Sequence, residues 1–449
     1  MPEALTGGTP DDEERLTAVD LFCGAGGLSE GLRQAGFDLI VAADHDPDGC
    51  ATYRLNFPQT TLVEGDLTAR ENHERLVVGV RERTADLDLL AGGPPCQGFS
   101  QVRNHDRLLE DPRNRLYREF VQILAELRPR ALLVENVPGM IQLQGGAVRR
   151  QIEAELSLGG EYEVHSKVLD AGDHGTPQSR PRLLFAGVRR GEDLPPWPQG
   201  TGVTKSLRLR RNTGRDRRPR YELEVASESA EIAARLLDPE DASAVTVLQA
   251  LSDLLEPGDE YSSDPCSAYQ RIIRQGCETP DDHVPSRIRE DTVLRLRSIP
   301  PGGNVHDLPD PLLKRYVTGT KWGPAGNGKR LSRKHFYAYR QLHPDWLAWT
   351  ANTKADFAYH YCLPRGLSAR EVARLQGLPD QFRVITAPRG TPGKLYGGAR
   401  HSRYRQIGNA VPPPLARAIG AEIARALADR PERSSKRLSH DGPALRQAA

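Results

Sequence analysis

Four residues, Gly92-Gly93-Pro94-Pro95, constrain this chain more than any others. They follow the apolar run Leu87-Asp88-Leu89-Leu90-Ala91, which reads as a short buried strand. Two glycines and two prolines forbid a helix directly after it. The next residue, Cys96, is therefore expected on a stiff loop at a strand's carboxyl end, where open α/β sheets carry their chemistry. A cysteine in that position is a candidate nucleophile.

The segments around it alternate as such a sheet requires. Thr17 to Phe22 reads as a first strand, followed by Gly24, Gly26 and Gly27. A helix with Leu28, Leu32 and Ala35 on one face then ends at Gly36. Leu39 to Ala43 is a second strand, and it ends at Asp44, twenty residues beyond Gly24. Strand, glycine turn, helix, strand, acid is the layout of a nucleoside-binding half-sheet, with the carboxylate reaching ribose hydroxyls. A dinucleotide fingerprint would place a third glycine where Ser29 stands, so the turn favours an adenosyl ligand over NAD. Gly65-Asp66-Leu67 closes a third step and Cys96 tops the fourth strand. The spacing of Leu116, Phe120, Ile123, Leu124 and Leu127 predicts a core helix. Ala131 to Val134 is a buried strand running into Glu135-Asn136-Val137-Pro138-Gly139. Glu135 and Cys96 would then face one crevice, an acid beside a thiol. Arg180 and Arg182, ahead of a strand from Leu183 to Val188, alternate so as to point the same way. The expected fold is a doubly wound α/β sheet with a second, smaller domain.

Composition narrows the setting. The chain has 449 residues, 38% of them hydrophobic, and no apolar run nears the ~18 residues of a membrane span. The acidic start, Asp11 to Glu14, is unlike a signal peptide. Six scattered cysteines without a Cys-x-x-Cys pair argue against disulfides and zinc and fit a reducing cytoplasm. Net charge is only +1, yet Lys205 to Arg220 holds eight basic residues against the single acid Asp216, a stretch drawn to phosphate.

Six blocks in order resemble the cytosine-5 DNA methyltransferases. Asp20-Leu-Phe-Cys-Gly-Ala-Gly-Gly27 resembles their cofactor turn, Pro95-Cys96-Gln97 their nucleophile loop and Glu135-Asn136-Val137 their acid motif. Gln178-x-Arg180-x-Arg182 resembles the base-contacting motif. Arg370 to Gly377 and Gln406-Ile-Gly-Asn409-Ala-Val-Pro412 resemble the last two. The resemblance covers about residues 17 to 428 and implies a methyltransferase sheet, S-adenosylmethionine as methyl donor and double-stranded DNA as substrate. It implies catalytic roles for Cys96, Glu135, Arg180 and Arg182. It implies cofactor contacts from Phe22, Gly24, Gly26, Gly27, Leu28, Asp44, His45, Asp66, Leu67, Pro94, Asn409 and Ala410. Two departures stand out: His45 occupies a position the family fills with a hydrophobic stacking residue, and Trp349 to Thr353 is a loose version of a Thr-rich stretch.

By the same resemblance, Gln101 to Asn114 is the loop that closes over an extruded base, and the middle of the chain is the target-recognition domain. Gly302-Gly303-Asn304 with Asp307-Leu308-Pro309, and Tyr337 to Leu342, look like recurring elements of that domain. The expected boundaries are a disordered tail over 1–15, a catalytic domain over 16–188, a recognition domain over 189–394, a return to the catalytic domain over 395–430 and a disordered tail over 431–449. Leu415, Ile419, Ile423 and Leu427 form an amphipathic helix expected to pack on the catalytic sheet. The whole reads as a sequence-specific, prokaryotic-style enzyme acting as a monomer on DNA, alone or beside a companion restriction endonuclease. Two alternatives stay open: a tRNA cytosine-5 methyltransferase, against which the large middle domain argues, and a catalytically silent DNA-binding regulator, against which the four catalytic residues argue.

Overall fold

The computed structural model describes residues 15–95, 114–139, 146–213, 219–225, 238–319, 338–387 and 398–428. Cys96, the loop from Gln101 to Asn114 apart from Asn114 itself, Arg215 to Arg218 of the basic stretch, Tyr337, residues 1–14 of the first tail and all of the tail over 431–449 lie outside those residues.

Strand β1 (Thr17–Leu21) leads through the glycine turn into helix α1 (Gly27–Gln34) and strand β2 (Asp38–Asp44). Helix α2 (Pro47–Asn56), β3 (Thr61–Glu64), α3 (Arg70–Arg81), β4 (Leu89–Gly92), α4 (Arg115–Leu127) and β5 (Ala131–Asn136) continue the alternation. After α5 (Ala147–Leu156), β6 (Tyr162–Asp170) and β7 (Pro181–Arg189) complete one sheet in the order β3-β2-β1-β4-β5-β7-β6. Strand β7 runs antiparallel to both neighbours. This seven-stranded order is that of the S-adenosylmethionine-dependent methyltransferase fold, as the motifs led one to expect.

Near-continuous apolar strands result because both sheet faces are covered. On one face Val19, Leu21, Leu90, Leu132 and Val134 pack with Phe120, Ile123 and Leu124 of α4. On the other, Ala18, Leu89, Ala91 and Leu133 pack with Leu28, Leu32, Leu415, Ile419 and Ile423. The helix Pro413–Ala428 thus lies on α1, and the approach needs glycine: a Cβ on Gly31 would stand 2.3 Å from Ala416 Cβ.

Strand β6 and the far end of β5 escaped the sequence reading. Strand β6 carries Glu163, His165, Ser166 and Lys167 and pairs on one side only, so no apolar run marks it. Strand β5 is longer than expected because Glu135 and Asn136 pair with Leu184 and Leu183 of β7, a partner forty-odd residues away.

Beyond β7, the basic stretch runs into two antiparallel strands, β8 (Leu207–Thr213) and β9 (Pro219–Val225). Their register sets Arg208 opposite Glu224 and Arg210 opposite Glu222. A third apolar cluster joins Tyr53 and Phe57 of the first half to Phe357, Leu367, Leu375, Phe382 and Tyr404. Among the described residues no helix is long and apolar enough to cross a membrane.

Candidate active site

The sheet reverses its order between β1 and β4, since β1 neighbours β2 on one side and β4 on the other. Ligands of such sheets bind at the strands' carboxyl ends beside that switch point. There the chain forms a cleft of about 690 Å³, lined by Phe22 and Gly24 from the turn after β1, Leu28 from α1, Asp44 and His45 from the end of β2, and Gly93, Pro94 and Pro95 from the loop after β4. Glu135, Arg180, Arg182, Asn409 and Ala410 complete it from the opposite wall.

The turn after β1 is tightly built. Phe22, Gly24 and Gly26 all have positive φ, at 59°, 53° and 98°. Gly26 is forced, because a Cβ there would lie 2.5 Å from the Phe57 ring. Gly27 is forced from the other side: its Cβ would lie 2.4 Å from the Val411 carbonyl oxygen and 2.9 Å from Ala410 Cβ. Gly26 and Gly27 therefore shape the cleft, bringing the segment of Asn409 and Ala410 against α1. Asp44, 8% exposed, accepts the Gly24 N–H at 2.8 Å and the Asp46 N–H at 2.7 Å, one on each oxygen. Each carboxylate oxygen keeps a further lone pair for a ligand hydroxyl. His45 is largely exposed, with Nδ1 3.7 Å from Asp44 Oδ1. Asp66 and Leu67 sit apart, in an adjoining pocket of about 120 Å³ shared with Phe22, Asp44, His45 and Arg115. Thr68 donates to Asp66 Oδ1 from both its hydroxyl and its N–H, which holds that carboxyl below its usual range.

The acid side of the cleft hangs on β5. Glu135 Oε1 lies 2.6 Å from Arg182 Nε, with both side chains nearly buried. Burial pushes the Glu135 carboxyl up, against the pull of Arg182 and Arg180. Asn136 donates to the Pro94 carbonyl at 3.1 Å, so the acid strand is tied to the loop that leads into Cys96. Gly92 and Gly93 make that approach feasible: a Cβ on the first would meet the Leu21 carbonyl at 2.6 Å, and on the second Glu135 Oε2 at 3.3 Å. Cys96 itself lies outside the described residues; Pro95, one residue before it, lines the cleft.

Arg180 and Arg182 both line the cleft, as their alternation requires, but their guanidinium groups go to different partners. Arg180, 2% exposed, donates to the Ala351 and Gly408 carbonyls, each at 2.6 Å. Gln178 works alongside it, donating to the Leu375 carbonyl at 2.6 Å and accepting the Ala351 N–H at 2.9 Å. The Gln-x-Arg-x-Arg segment thus stitches the later motifs to the sheet and leaves Arg182 to the acid.

The sequence reading passed over Asp20, which lines the cleft with no exposed surface. Its Oδ2 accepts the Ser29 hydroxyl at 2.6 Å, while its buried Oδ1 has no hydrogen-bond partner among the described residues. Burial pushes this carboxyl up to about 7, with Ser29 opposing and Asp44 adding to the rise. The signal was present, since a charge within a buried parallel strand needs a reason. Arg405, which was not anticipated, and Gln406, read only as the start of the last motif, also line the cleft.

A methyltransferase-fold sheet whose cleft joins a glycine turn, a strand-end carboxylate and a nearly buried Glu–Arg pair defines a class of methyl-transferring enzymes. Within it, residues 16–425 match the C-5 cytosine-specific DNA methylase family, and the chain belongs to that family. It is 31% identical to Type II methyltransferase M.XorII of Xanthomonas oryzae pv. oryzae, over 95% of this chain and 88% of that one. It is also 31% identical to Type II methyltransferase M.AgeI of Thalassovita gelatinovora, over 91% of this chain and 99% of that one. Among solved structures, a prophage-encoded protein from E. coli described as a DNA modification methyltransferase shares the fold, with a TM-score of 0.60 at 23% identity, covering 92% of this chain and 99% of that one. The chain is accordingly a DNA (cytosine-5)-methyltransferase, from a family that uses S-adenosylmethionine as methyl donor.

Proposed function

We propose that the chain methylates carbon 5 of a cytosine at a defined sequence in duplex DNA, using Cys96 as covalent nucleophile and a base turned out of the helix. The observation that carries this is the Glu135–Arg182 pair at 2.6 Å, facing the same cleft as the glycine turn and the loop entering Cys96.

The cleft suits S-adenosylmethionine. Asp44 offers lone pairs to the ribose, Phe22 and the Asp66 pocket an adenine site, and the orphaned Asp20 Oδ1 an acceptor for a cationic amine. When bound, the cofactor supplies an electrophilic methyl group on a sulfonium. The protein's task is to make carbon 5 nucleophilic. The Cys96 thiolate adds to carbon 6, and the displaced electrons move toward ring nitrogen 3. A proton held there by Glu135 prevents charge build-up, and Arg182 fixes the carboxyl in place. After methyl transfer the carbon-5 proton leaves to a base and the carbon 6–sulfur bond breaks, restoring Cys96. Extrusion of the base costs roughly a few kcal/mol, which contacts in the pocket offset.

Bisulfite sequencing of DNA, and in parallel of tRNA, from cells expressing the protein tests activity, base and sequence context together. Methylcytosine confined to tRNA would overturn the DNA reading, and none in either would favour a silent regulator. Similarity to two type II methyltransferases supports a restriction–modification setting, for which a neighbouring endonuclease gene is the check.

Asp44→Ala is expected to weaken S-adenosylmethionine binding by roughly 1–3 kcal/mol, the scale of a lost charge-assisted hydrogen bond. Because Asp44 also pins Gly24 and Asp46, Asp44→Asn should recover part of the loss. Unchanged calorimetric affinity in both would remove Asp44 from the cofactor site.

The segment from Arg189 to about Lys394 is proposed to choose the sequence, with the cluster from Lys205 to Arg220 meeting phosphates. Neutralising Arg210, Arg211, Arg217 and Arg218 should lower affinity for all duplexes alike and flatten its salt dependence. The methylated sequence should stay the same, because phosphate contacts position without reading bases. A changed sequence would show that the cluster reads bases, and an unchanged salt slope that it never meets DNA.

A further inference from the structure

A third cavity, of about 480 Å³, shares no lining residue with the active-site cleft and is lined by Arg287, Arg289, Arg295, Arg315, Tyr339 and Tyr359, with Asp291 as the single carboxylate in its lining. Its floor is rigid. Helix Glu290–Leu296 sets Asp291 and Arg295 one turn apart, joined at 2.8 Å. Arg295, almost wholly buried, also donates to the Tyr339 hydroxyl at 3.0 Å and lies 5.4 Å from that ring's centroid. The Tyr339 and Tyr359 rings stack at 6.1 Å with 25° between planes. Tyr339 holds a left-handed φ of 54°, a conformation costly for a tyrosine and kept only where the surroundings enforce it.

The charge balance in this cavity is one-sided. Asp291 is already engaged by Arg295, whose buried Nε has no partner among the described residues. Arg287 and Arg289 are exposed and reach the same cavity from alternate positions of the segment leading into the helix. Planar guanidinium groups grouped around an aromatic floor suit a phosphodiester, whose oxygens accept paired N–H donors. The place is consistent with a long nucleic acid. Tyr339 begins a stretch that reaches Ala348, and Ala348 bridges Gln178, two residues before Arg180. The nine steps between them span at most about 30 Å, less than one turn of a duplex.

We propose that this cavity is a phosphodiester-binding site that grips the DNA backbone remote from the target base, with Arg287 and Arg289 as the phosphate donors. It rests on the duplex-DNA reading above. The test compares wild type with the Arg287→Ala/Arg289→Ala double variant, measuring affinity for a mixed-sequence duplex across a salt series. Loss of two phosphate contacts should make the slope of log affinity against log salt shallower by about two. Binding of S-adenosylmethionine and the methylated sequence should not change, which separates the effect from misfolding or lost base readout. The double lysine variant, keeping charge, should retain most of the wild-type slope. A wild-type slope in the double alanine variant would overturn the site while leaving the function intact. Failure of the wild type to bind any duplex would overturn the DNA reading itself, and a slope change seen with tRNA alone would reassign the site's ligand.

Discussion

Wild-type protein incubated with S-adenosylmethionine and a duplex carrying 5-fluorocytosine at the target is expected to form an adduct that survives denaturant, and Cys96→Ala is expected to form none. The fluorine cannot leave as a proton does, so the carbon 6–sulfur bond persists once carbon 5 has been methylated. A free thiol near pKa 8.5 is only a few per cent thiolate at neutral pH, so the reaction depends on placement as much as on the sulfur. Pro95 brings the chain to the cleft wall one residue before Cys96, and Asn136 holds that loop through the Pro94 carbonyl. Turnover in Cys96→Ala should fall by roughly 10⁴-fold or more, the scale seen when a covalent nucleophile is removed. Trapping by Cys96→Ala would move the nucleophile to another residue.

For Glu135→Gln, turnover should fall by about 10²–10⁴-fold, the usual share of a positioned general acid, with little change in cofactor affinity. Gln keeps the length and a hydrogen bond but holds no transferable proton. Direction matters here. Burial raises the Glu135 carboxyl above its ordinary value despite Arg182 and Arg180, so its protonated form persists to higher pH than in a free glutamate. Activity that needs this proton is present at lower pH and lost as pH rises through the raised value. The Cys96 thiol works the other way, gaining thiolate as pH rises. A bell-shaped profile should therefore describe the wild type, its two limbs belonging to the coupled site as a whole. In Glu135→Gln the falling alkaline limb should disappear. A variant with normal turnover, or with the alkaline limb intact, would show that Glu135 does not hold the proton.

Arg182 and Arg180 show why motif spacing alone assigns roles incompletely. Alternation placed both on one side of an extended chain, and both do line the cleft. Their partners lie far along the sequence for one and close by in space for the other: Arg180 is held by carbonyls of Ala351 and Gly408, Arg182 by Glu135 on the neighbouring strand. A substitution at Arg180 would therefore loosen the seam between distant segments, whereas one at Arg182 acts on the acid.

Local chemistry was enough to determine β1, β2, β4, the apolar part of β5, β7, the glycine turn and the approach to Cys96. Apolar runs must be buried, prolines bar a helix, and a turn with positive φ needs glycine where a neighbour approaches, as Gly26 does against Phe57. Other features were decided only by the tertiary structure, because each depends on contact between segments remote in sequence. The reversal of β7 extends β5 through Glu135, the close packing of Gly27 on Val411 brings the last motif to the glycine turn, and the folded chain leaves Asp20 buried with one oxygen unpaired among the described residues. Periodicity tells a residue which way to face, but what it meets there depends on how the whole chain packs.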